Sequence, residues 1–253
     1  MTVPLKIALA GLGTVGAGTL RLLTQNADLL TGRGGRRIAV DAVSARDRCK
    51  SRGADLSALR WFDDAAAMAA DPEIDVVVEL IGGADGIALD VVRAALAHGK
   101  HVVSANKALM AHHGTELARL AEAKGVALAF EAAVAGGIPI VKTLREGLAA
   151  NHIARVYGIL NGTSNFILTT MRESRREFAE VLAEAQRLGY AEADPSFDID
   201  GVDAAHKLAI LTSVAFGTEV DFAGVHVEGI RHVSALDIEY AAELGFRIKL
   251  LGL

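Results

Sequence analysis

Two stretches of the sequence combine residue types and spacing that could carry chemistry, and the first of them is rich in glycine. Gly11, Gly13 and Gly16, together with Thr14 and Val15, follow a short apolar run and open a helical pattern. In a strand-to-helix turn, the first glycine permits the tight turn, the second lets the backbone approach a pyrophosphate, and the third lets the helix pack closely. The helix N-terminus adds free N–H groups. The stretch therefore predicts a dinucleotide-binding site, against the alternative of a glycine-rich turn that binds nothing.

The second stretch, residues 189–208, is acidic and ends in a histidine and a lysine. Its acids are Glu192, Asp194, Asp198, Asp200 and Asp203. Asp203 and Lys207 are four residues apart on a predicted helix, a spacing that is typical of an ordinary surface ion pair. However, neighbouring carboxylates repel one another unless they bind a cation or an ammonium group. The apolar helix that follows also favours a cleft edge for Lys207, so the stretch predicts a site for an amino-acid ligand.

The elements that would position these residues differ between the two parts of the chain. Up to residue 135, short apolar runs alternate with helical patterns, as in parallel sheets whose crossover helices cover both faces. We therefore predict an α/β fold, with a doubly wound, Rossmann-like parallel sheet in residues 1–135. The helices predicted in this domain are 15–30, 64–70, 87–98 and 114–124.

Beyond Gly136 and Gly137 the pattern changes to that of an α+β domain, which we place at residues 136–253. Strands are expected at 154–160 and 246–253. The expected helices are 138–150, 167–173, 177–188, 202–216 and 238–244. Because the apolar, strand-like end of the chain has no polar tail, we expect an incomplete domain in a chain that is truncated at its C-terminus.

Residues near the carboxyl ends of the predicted strands could contact a nucleotide, because open α/β sheets bind ligands at that edge. Gly82 and Lys107 lie after two of these strands, although a lone lysine is usually a solvated surface group. Arg46 follows the second strand, where an exposed arginine after a small polar residue suits a 2′-phosphate and favours NADP. Asp47 could instead bind the ribose of NAD, so NAD stays an alternative cofactor. A solvated Arg46 on an ordinary loop, with no contact to a nucleotide, explains this part of the sequence nearly as well.

Composition excludes several other classes of protein. The 253 residues are 51% hydrophobic and 23% charged, with a formal net charge of −5 and no basic block, which argues against disorder and nucleic-acid binding. No uninterrupted apolar run reaches the ~18 residues of a membrane span, and the N-terminus lacks a signal-peptide pattern. The single cysteine, Cys49, excludes an internal disulfide and fits a reducing compartment. We expect a cytoplasmic protein with a small-molecule substrate and neither a nucleic-acid nor a membrane partner.

Five stretches resemble the homoserine dehydrogenase family, in order and over essentially the whole chain. They are GLGTVG, SANK, FEAAVAGGIPIV, GILNGTSNFIL and GYAEADPSFDIDGVDAAHKLAIL. The last two are highly specific to that family. The resemblance implies an NAD(P)-dependent oxidoreductase that interconverts L-aspartate 4-semialdehyde and L-homoserine by hydride transfer, with NADPH or NADH, in threonine and methionine biosynthesis.

The resemblance also implies roles for individual residues. It makes Lys207 the proton donor and acceptor, with Lys107 close to both the nicotinamide and the substrate. Glu192 and Asp203 would bind the substrate's amino group, with Asp198 as a weaker candidate. The cofactor contacts that it implies are Gly13, Thr14, Val15, Gly82, Lys107 and Gly189.

A structural sodium ion and a homodimer are further implications of the resemblance. The ion would be bound by Glu131 and by the carbonyl oxygens of Val134, Gly136 and Ile138. Members of the family continue past FRIKLLGL through further strands that complete the dimer, and this departure puts the activity of the chain in doubt.

Two alternative functions stay open. Another amino-acid dehydrogenase, of the L-aspartate dehydrogenase type, would explain the glycine-rich turn but not residues 189–208. A catalytically silent nucleotide-binding module would explain a chain that lacks the final strands of the family.

Overall fold

The computed structural model describes residues 3–253, which form two compact units divided between Gly147 and Leu148. The first unit contains a six-stranded parallel sheet with the strand order β3-β2-β1-β4-β5-β6. Its strands are β1 (Leu5–Ala10), β2 (Ile38–Ser44), β3 (Arg60–Phe62), β4 (Val76–Glu79), β5 (His101–Ser104) and β6 (Leu128–Ala129). This order reverses at β1, so the prediction of a doubly wound parallel sheet is confirmed.

Helices connect the consecutive strands of the first unit, except that β2 and β3 are joined by a loop. They are α1 (Thr14–Gln25), α2 (Ala27–Gly34), α3 (Ala65–Ala70), α4 (Ile87–Ala97) and α5 (Lys107–Lys124). The helix predicted at 15–30 is interrupted at Asn26, and α5 begins at Lys107 rather than at residue 114. The earlier start has a local cause, because the side chain of Asn106 caps the helix by accepting the N–H of Leu109.

The centre of the sheet is a dry core, and this explains the continuous apolar runs of the sequence. All four residues of β4 are buried, as are Leu9 in β1 and Val43 in β2. Strands that are covered on both faces cannot alternate polar and apolar residues. The short strand β3 was not predicted, because its three residues carry no periodic signal.

The first unit ends after a series of short helical turns. These are α6 (Glu131–Val134), α7 (Ile140–Lys142) and a π-helical turn at Thr143–Gly147. The boundary between the units therefore differs from the predicted one after residue 135, because α6 contacts α5 and β5 of the first unit and α7 contacts α6. The single helix expected at 138–150 is replaced by α7 and the π-helical turn.

Helices dominate the second unit. They are α8 (Gly162–Ser174), α9 (Phe178–Arg187), α10 (Ser196–Ile199), α11 (Val202–Phe216) and α12 (Ala235–Glu243). The core shared by α8, α9, α10 and α12 contains Ile167, Met171, Val181, Ile199 and Ile238. Within residues 3–253, no helix is both long and apolar enough to cross a membrane.

The two strands expected in the second unit are not regular strands. Segments 154–160 and 246–253 meet only at an antiparallel bridge, in which Gly158 and Gly252 exchange two hydrogen bonds of 3.0 Å. An isolated pair of strands is marginally stable in water, and this pair has no third strand beside it in the part of the chain that the structure describes.

Candidate functional site

The glycine-rich turn between β1 and α1 has the geometry of a dinucleotide-binding loop. Gly11 has φ +100°, and a Cβ at this position would lie 2.5 Å from the carbonyl oxygen of Leu80. A Cβ on Gly16 would lie 2.0 Å from the carbonyl oxygen of Gly11, so the helix packs directly onto the turn. A Cβ on Gly13 would meet nothing within 4 Å. The first and third glycines are therefore needed for packing, whereas the second leaves open space in front of the helix.

The open space belongs to a cleft of about 990 Å³ at the carboxyl edge of the sheet. Its lining includes Gly11, Gly13, Ser44, Arg46, Asp85 and Ile87. Gly13 is the N-cap of α1 and gives no side-chain cap, while Thr14 and Val15 are exposed in the first turn of the helix. Uncapped N–H groups and a positive helix end favour an anion at this point, so the turn fits the pyrophosphate of a dinucleotide.

The loop after β2 brings cations to the same cleft. Arg46 is exposed and lines the cleft with Lys50 and Arg52. The carboxylate of Asp47 accepts the N–H groups of Cys49 at 2.8 Å and of Lys50 at 3.2 Å, so it stabilises its own loop. This arrangement supplies positive charge where the second strand ends.

Arg52 was not identified from the sequence, because its partners are backbone carbonyl groups, one of them 40 residues away. It donates to the carbonyl oxygens of Leu12 at 3.2 Å and of Lys50 at 2.6 Å, and also to that of Asp47. These bonds tie the loop after β2 to the glycine-rich turn. No residue pattern in the sequence signals such contacts to carbonyl groups.

Two further residues predicted to contact the cofactor lie at the ends of β4 and β5. Gly82 lines the cleft and has φ +88°, which favours glycine. Lys107 is the first residue of α5, immediately after the N-cap Asn106, and is half-buried. Both therefore lie on the loops that follow neighbouring strands of the sheet.

The residues expected to bind sodium lie together in α6 and the turn after it. The two carboxylate oxygens of Glu131 accept the N–H groups of Val141 and Lys142, each at 2.8 Å. The carbonyl oxygen of Ile138 accepts the N–H of Ile140. Val134 is buried and Gly136 is exposed. The segment thus presents oxygen atoms of the type that hard cations prefer, although two of the four groups already accept backbone N–H groups.

In the second unit, Asn161 joins two of the predicted acids. It is 3% exposed, and its amide nitrogen donates to Asp198 Oδ1 at 2.7 Å and to Asp203 Oδ2 at 2.9 Å. Its amide oxygen accepts the N–H of Ser164 at 2.8 Å and thereby caps α8. One buried side chain therefore fixes a helix end and two carboxylates from a distant part of the chain.

Lys207 completes this network. Its Nζ donates to Asp203 Oδ2 at 2.7 Å and to the carbonyl oxygen of Leu160 at 2.9 Å, and its side chain is 19% exposed. Asp203, in contrast, is buried in the first turn of α11, where the helix dipole favours a negative charge. We call Asn161, Asp198, Asp203 and Lys207 the lysine cluster.

The other acids of the stretch have different partners. Arg231 forms an ion pair with Asp200, and this hydrogen bond lowers the pKa of the Asp200 carboxyl below its usual value. Hydrogen bonds from Ser196 likewise lower the pKa of Asp194. Glu192 is exposed, and its backbone carbonyl accepts a hydrogen bond from Gln186. The lysine cluster therefore contains two of the five acids.

Gly189 lies outside the lysine cluster and ends α9. It has φ +78°, and its N–H donates to the carbonyl oxygen of Gln186. Its predicted contact with the cofactor stays a prediction, as does the role of Glu192 in binding substrate. Asn161 was missed as a site residue, although its place before a helical pattern is a typical N-cap signal.

Comparisons with known proteins show the family to which the chain belongs. A family model described as homoserine dehydrogenase, NAD binding domain, matches residues 11–131, and one described as homoserine dehydrogenase matches residues 139–253. The homoserine dehydrogenase of Pseudomonas aeruginosa is 53% identical over 252 residues, which are 98% of this chain and 57% of the relative. The chain thus spans little more than half the length of this curated relative.

Solved structures show the same similarity. A crystal structure of a homoserine dehydrogenase from Thiobacillus denitrificans matches with a TM-score of 0.93 and 53% identity, over 98% of this chain and 57% of that one. A hyperthermophilic archaeal homoserine dehydrogenase in complex with NADPH matches with a TM-score of 0.78 and 25% identity, over 91% of this chain and 75% of that one.

Proposed function

Because the chain belongs to the homoserine dehydrogenase family, we propose that it interconverts L-homoserine and L-aspartate 4-semialdehyde as an NAD(P)-dependent oxidoreductase. The observation that carries this proposal is the lysine cluster, in which a partly exposed lysine is held by a buried carboxylate. A dinucleotide-binding fold alone would serve many other dehydrogenases. Glycine-rich turns are common to them, whereas the lysine cluster provides a proton-transferring group beside carboxylates that can bind an amino group.

Lys207 manages the proton on the reacting oxygen in this proposal. An ammonium group has three N–H donors, and two of them are engaged by Asp203 and the carbonyl oxygen of Leu160. The third is available to the substrate oxygen, which receives a proton when the aldehyde is reduced. In the oxidising direction the neutral amine of Lys207 accepts the proton of the homoserine hydroxyl. Lys107, a second cation, carries the polarising or proton-relaying role that the resemblance to the family gives it.

Carboxylates of the acidic stretch bind the substrate's amino group. Glu192, Asp203 and Asp198 carry this role, and Asn161 keeps the last two oriented. Asp203 acts twice, since it also orients Lys207. A substrate without an amino group would not form these ion pairs, and this explains a preference for an amino acid over a simple aldehyde.

A nicotinamide nucleotide bound to the first unit supplies the hydride. We infer that NADP is preferred, because Arg46, Lys50 and Arg52 surround the end of β2 while the Asp47 carboxylate is engaged by backbone N–H groups. The NADPH complex of the archaeal relative supports this choice. Arg46→Ala should raise the KM for NADP about tenfold and leave that for NAD within twofold, as measured by initial rates. Equal effects on both nucleotides would contradict the preference.

We further propose a homodimer in the cytoplasm and a structural sodium ion. Glu131 and the carbonyl oxygens of Val134, Gly136 and Ile138 would bind the ion. If they do, the melting temperature of the protein should rise more in sodium chloride than in an equal concentration of tetramethylammonium chloride. Glu131→Gln should reduce that difference. An identical melting temperature in the two salts would contradict the sodium site.

Initial rates of homoserine oxidation with NADP and NAD test the function. They are compared for this chain, for a chain extended to the length of its relatives, and for Lys207→Ala in whichever is active. We expect turnover in at least one wild-type protein and its loss in Lys207→Ala, with nucleotide affinity retained. Nucleotide binding without turnover in both wild-type proteins would instead support a catalytically silent nucleotide-binding module.

A further inference from the structure

Glu79 is a fully buried carboxylate at the end of β4, and the reaction described above gives it no role. It has 0% exposure. Its Oε1 accepts the N–H groups of Ile81 at 2.7 Å and of Gly82 at 3.2 Å, and its Oε2 accepts the hydroxyl of Ser104 at 2.6 Å. Burying a carboxylate is costly unless donors surround it. These three donors therefore define the position of Glu79, and Glu79 in turn restrains them.

Ser104 extends the contact to the next loop, at the end of β5. Its Oγ accepts the N–H of Asn106 at 3.0 Å. The side chain of Asn106 caps α5 through its oxygen and donates from its nitrogen to the carbonyl oxygen of Gly83 at 2.7 Å. The loop after β4 is thus joined to the start of α5 at two places, Glu79–Ser104 and Asn106–Gly83.

The joined segments contain two of the predicted cofactor contacts, Gly82 and Lys107. Ile81 and Gly82 line the nucleotide cleft, and Lys107 follows Asn106 directly. We propose that Glu79 is a positioning residue, which acts through Ser104 and Asn106 to fix the loop after β4 and Lys107 in one arrangement for the bound nicotinamide nucleotide. The inference rests on the proposed function, because that function supplies the ligand.

The loop after β4 contains two glycines, whose flexible backbone the hydrogen bonds of Glu79 and Asn106 restrain. Gly82 has φ +88° and Gly83 has φ +84°, and consecutive glycines are the most mobile backbone in an unliganded loop. A loop that was free to move would have to be ordered by the cofactor, at a cost in affinity. Hydrogen bonds from Glu79 and Asn106 order it beforehand.

Three variants of the 253-residue chain test the proposal. Ser104→Ala removes the hydroxyl between Glu79 and Asn106. Asn106→Ser keeps an N-cap for α5 but is too short to reach Gly83. Val77→Ala is the matched control, because it removes buried methyl groups from the same strand without touching the hydrogen-bond network. NADPH dissociation constants are measured by fluorescence titration, and unfolding free energies in urea.

We expect NADPH to bind about tenfold more weakly to Ser104→Ala and to Asn106→Ser, and within twofold of wild type to Val77→Ala even where that variant is the less stable. Because both polar changes break the same network, the double variant should bind about as weakly as either single one. Weakened binding that follows the loss of stability in all three variants would overturn the proposal. So would wild-type affinity in both polar variants.

The same titrations distinguish a failure of the proposed function from a failure of the role of Glu79. A wild-type chain that binds no NADPH would overturn the nucleotide-dependent function, and the role of Glu79 with it. A wild-type chain that binds NADPH, beside polar variants that bind equally well, would overturn only the role of Glu79.

Discussion

The candidate sites of the two units differ in whether backbone atoms or side chains form them. In the first unit, the nucleotide cleft is formed largely by the backbone, through the turn at Gly11 and Gly13 and the uncapped start of α1. In the second unit, the lysine cluster is formed by side chains, in which Asn161 before α8 contacts acids of α10 and α11. A backbone site can bind a cofactor that many enzymes share, whereas a side-chain site can select one substrate.

Two asparagines show the difference at the level of single residues. Asn106 in the first unit and Asn161 in the second unit both cap a helix with their amide oxygen. The amide nitrogen of Asn106 donates to a backbone carbonyl, whereas that of Asn161 donates to two carboxylates. The same local device therefore stabilises a loop in one unit and orients charged groups in the other.

The largest expected effect concerns Lys207, the side chain that we propose transfers the proton. Lys207→Arg keeps a positive charge beside Asp203, but arginine does not deprotonate in proteins. Homoserine oxidation should therefore fall by about 10²- to 10⁴-fold, the usual contribution of general acid–base catalysis. Initial rates of homoserine oxidation, with the nucleotide dissociation constant measured beside them, check this loss.

Lys249→Arg is the matched control for this substitution. Lys249 is also half-buried in the second unit, but its Nζ donates to the neutral oxygens of Asn165 and Thr169. Burial lowers the pKa of Lys249, so the control replaces a half-buried lysine that loses its proton more readily than usual. Retention of more than a tenth of the wild-type rate in Lys207→Arg, or an equal loss in Lys249→Arg, would contradict the assignment.

The second-largest expected effect distinguishes, within the glycine-rich turn, the glycine needed for stability from the one needed to bind the nucleotide. Gly11→Ala places a Cβ against the Leu80 carbonyl at a positive φ, and such strain costs about 1–3 kcal/mol. Gly13→Ala meets no neighbour, so its stability should stay within about 0.5 kcal/mol of wild type while NADPH binds at least tenfold more weakly. Urea unfolding and fluorescence titration measure the two quantities. If Gly13→Ala binds NADPH normally, the pyrophosphate does not lie at this turn.

Asn161→Ser tests the side-chain site without removing the cap of α8. Serine can still accept the N–H of Ser164, but the amide that donates to Asp198 and Asp203 is lost. Leaving buried acceptors without this donor costs about 1–3 kcal/mol, which urea unfolding detects. The catalytic rate should fall as well, because Asp203 orients Lys207. Asn106→Ser, which leaves no carboxylate without a donor, should cost less stability.

The sequence predicts the sheet well because its signals are local. Buried strands such as β4 and the turn at Gly11 can be identified from neighbouring residues alone. The contacts of Asn161 with Asp198 and Asp203 span 37 and 42 residues, and those of Glu79 with Ser104 span 25. Such pairs depend on how the helices and strands pack, which no local pattern specifies.

The smallest expected effect concerns an acid that lies in the same stretch but outside the lysine cluster. Its partner Arg231 lowers the pKa of Asp200, so the charged carboxylate stabilises the fold above about pH 4, and this contribution is lost as the pH falls. Asp200→Asn should therefore cost less stability at pH 7 than Asn161→Ser, because the pair is partly exposed. The difference from wild type should shrink towards pH 3, as urea unfolding at the two pH values shows. Homoserine oxidation should not change. A reduced rate would place Asp200 in the active site and show that the substrate depends on more of the acidic stretch than the lysine cluster.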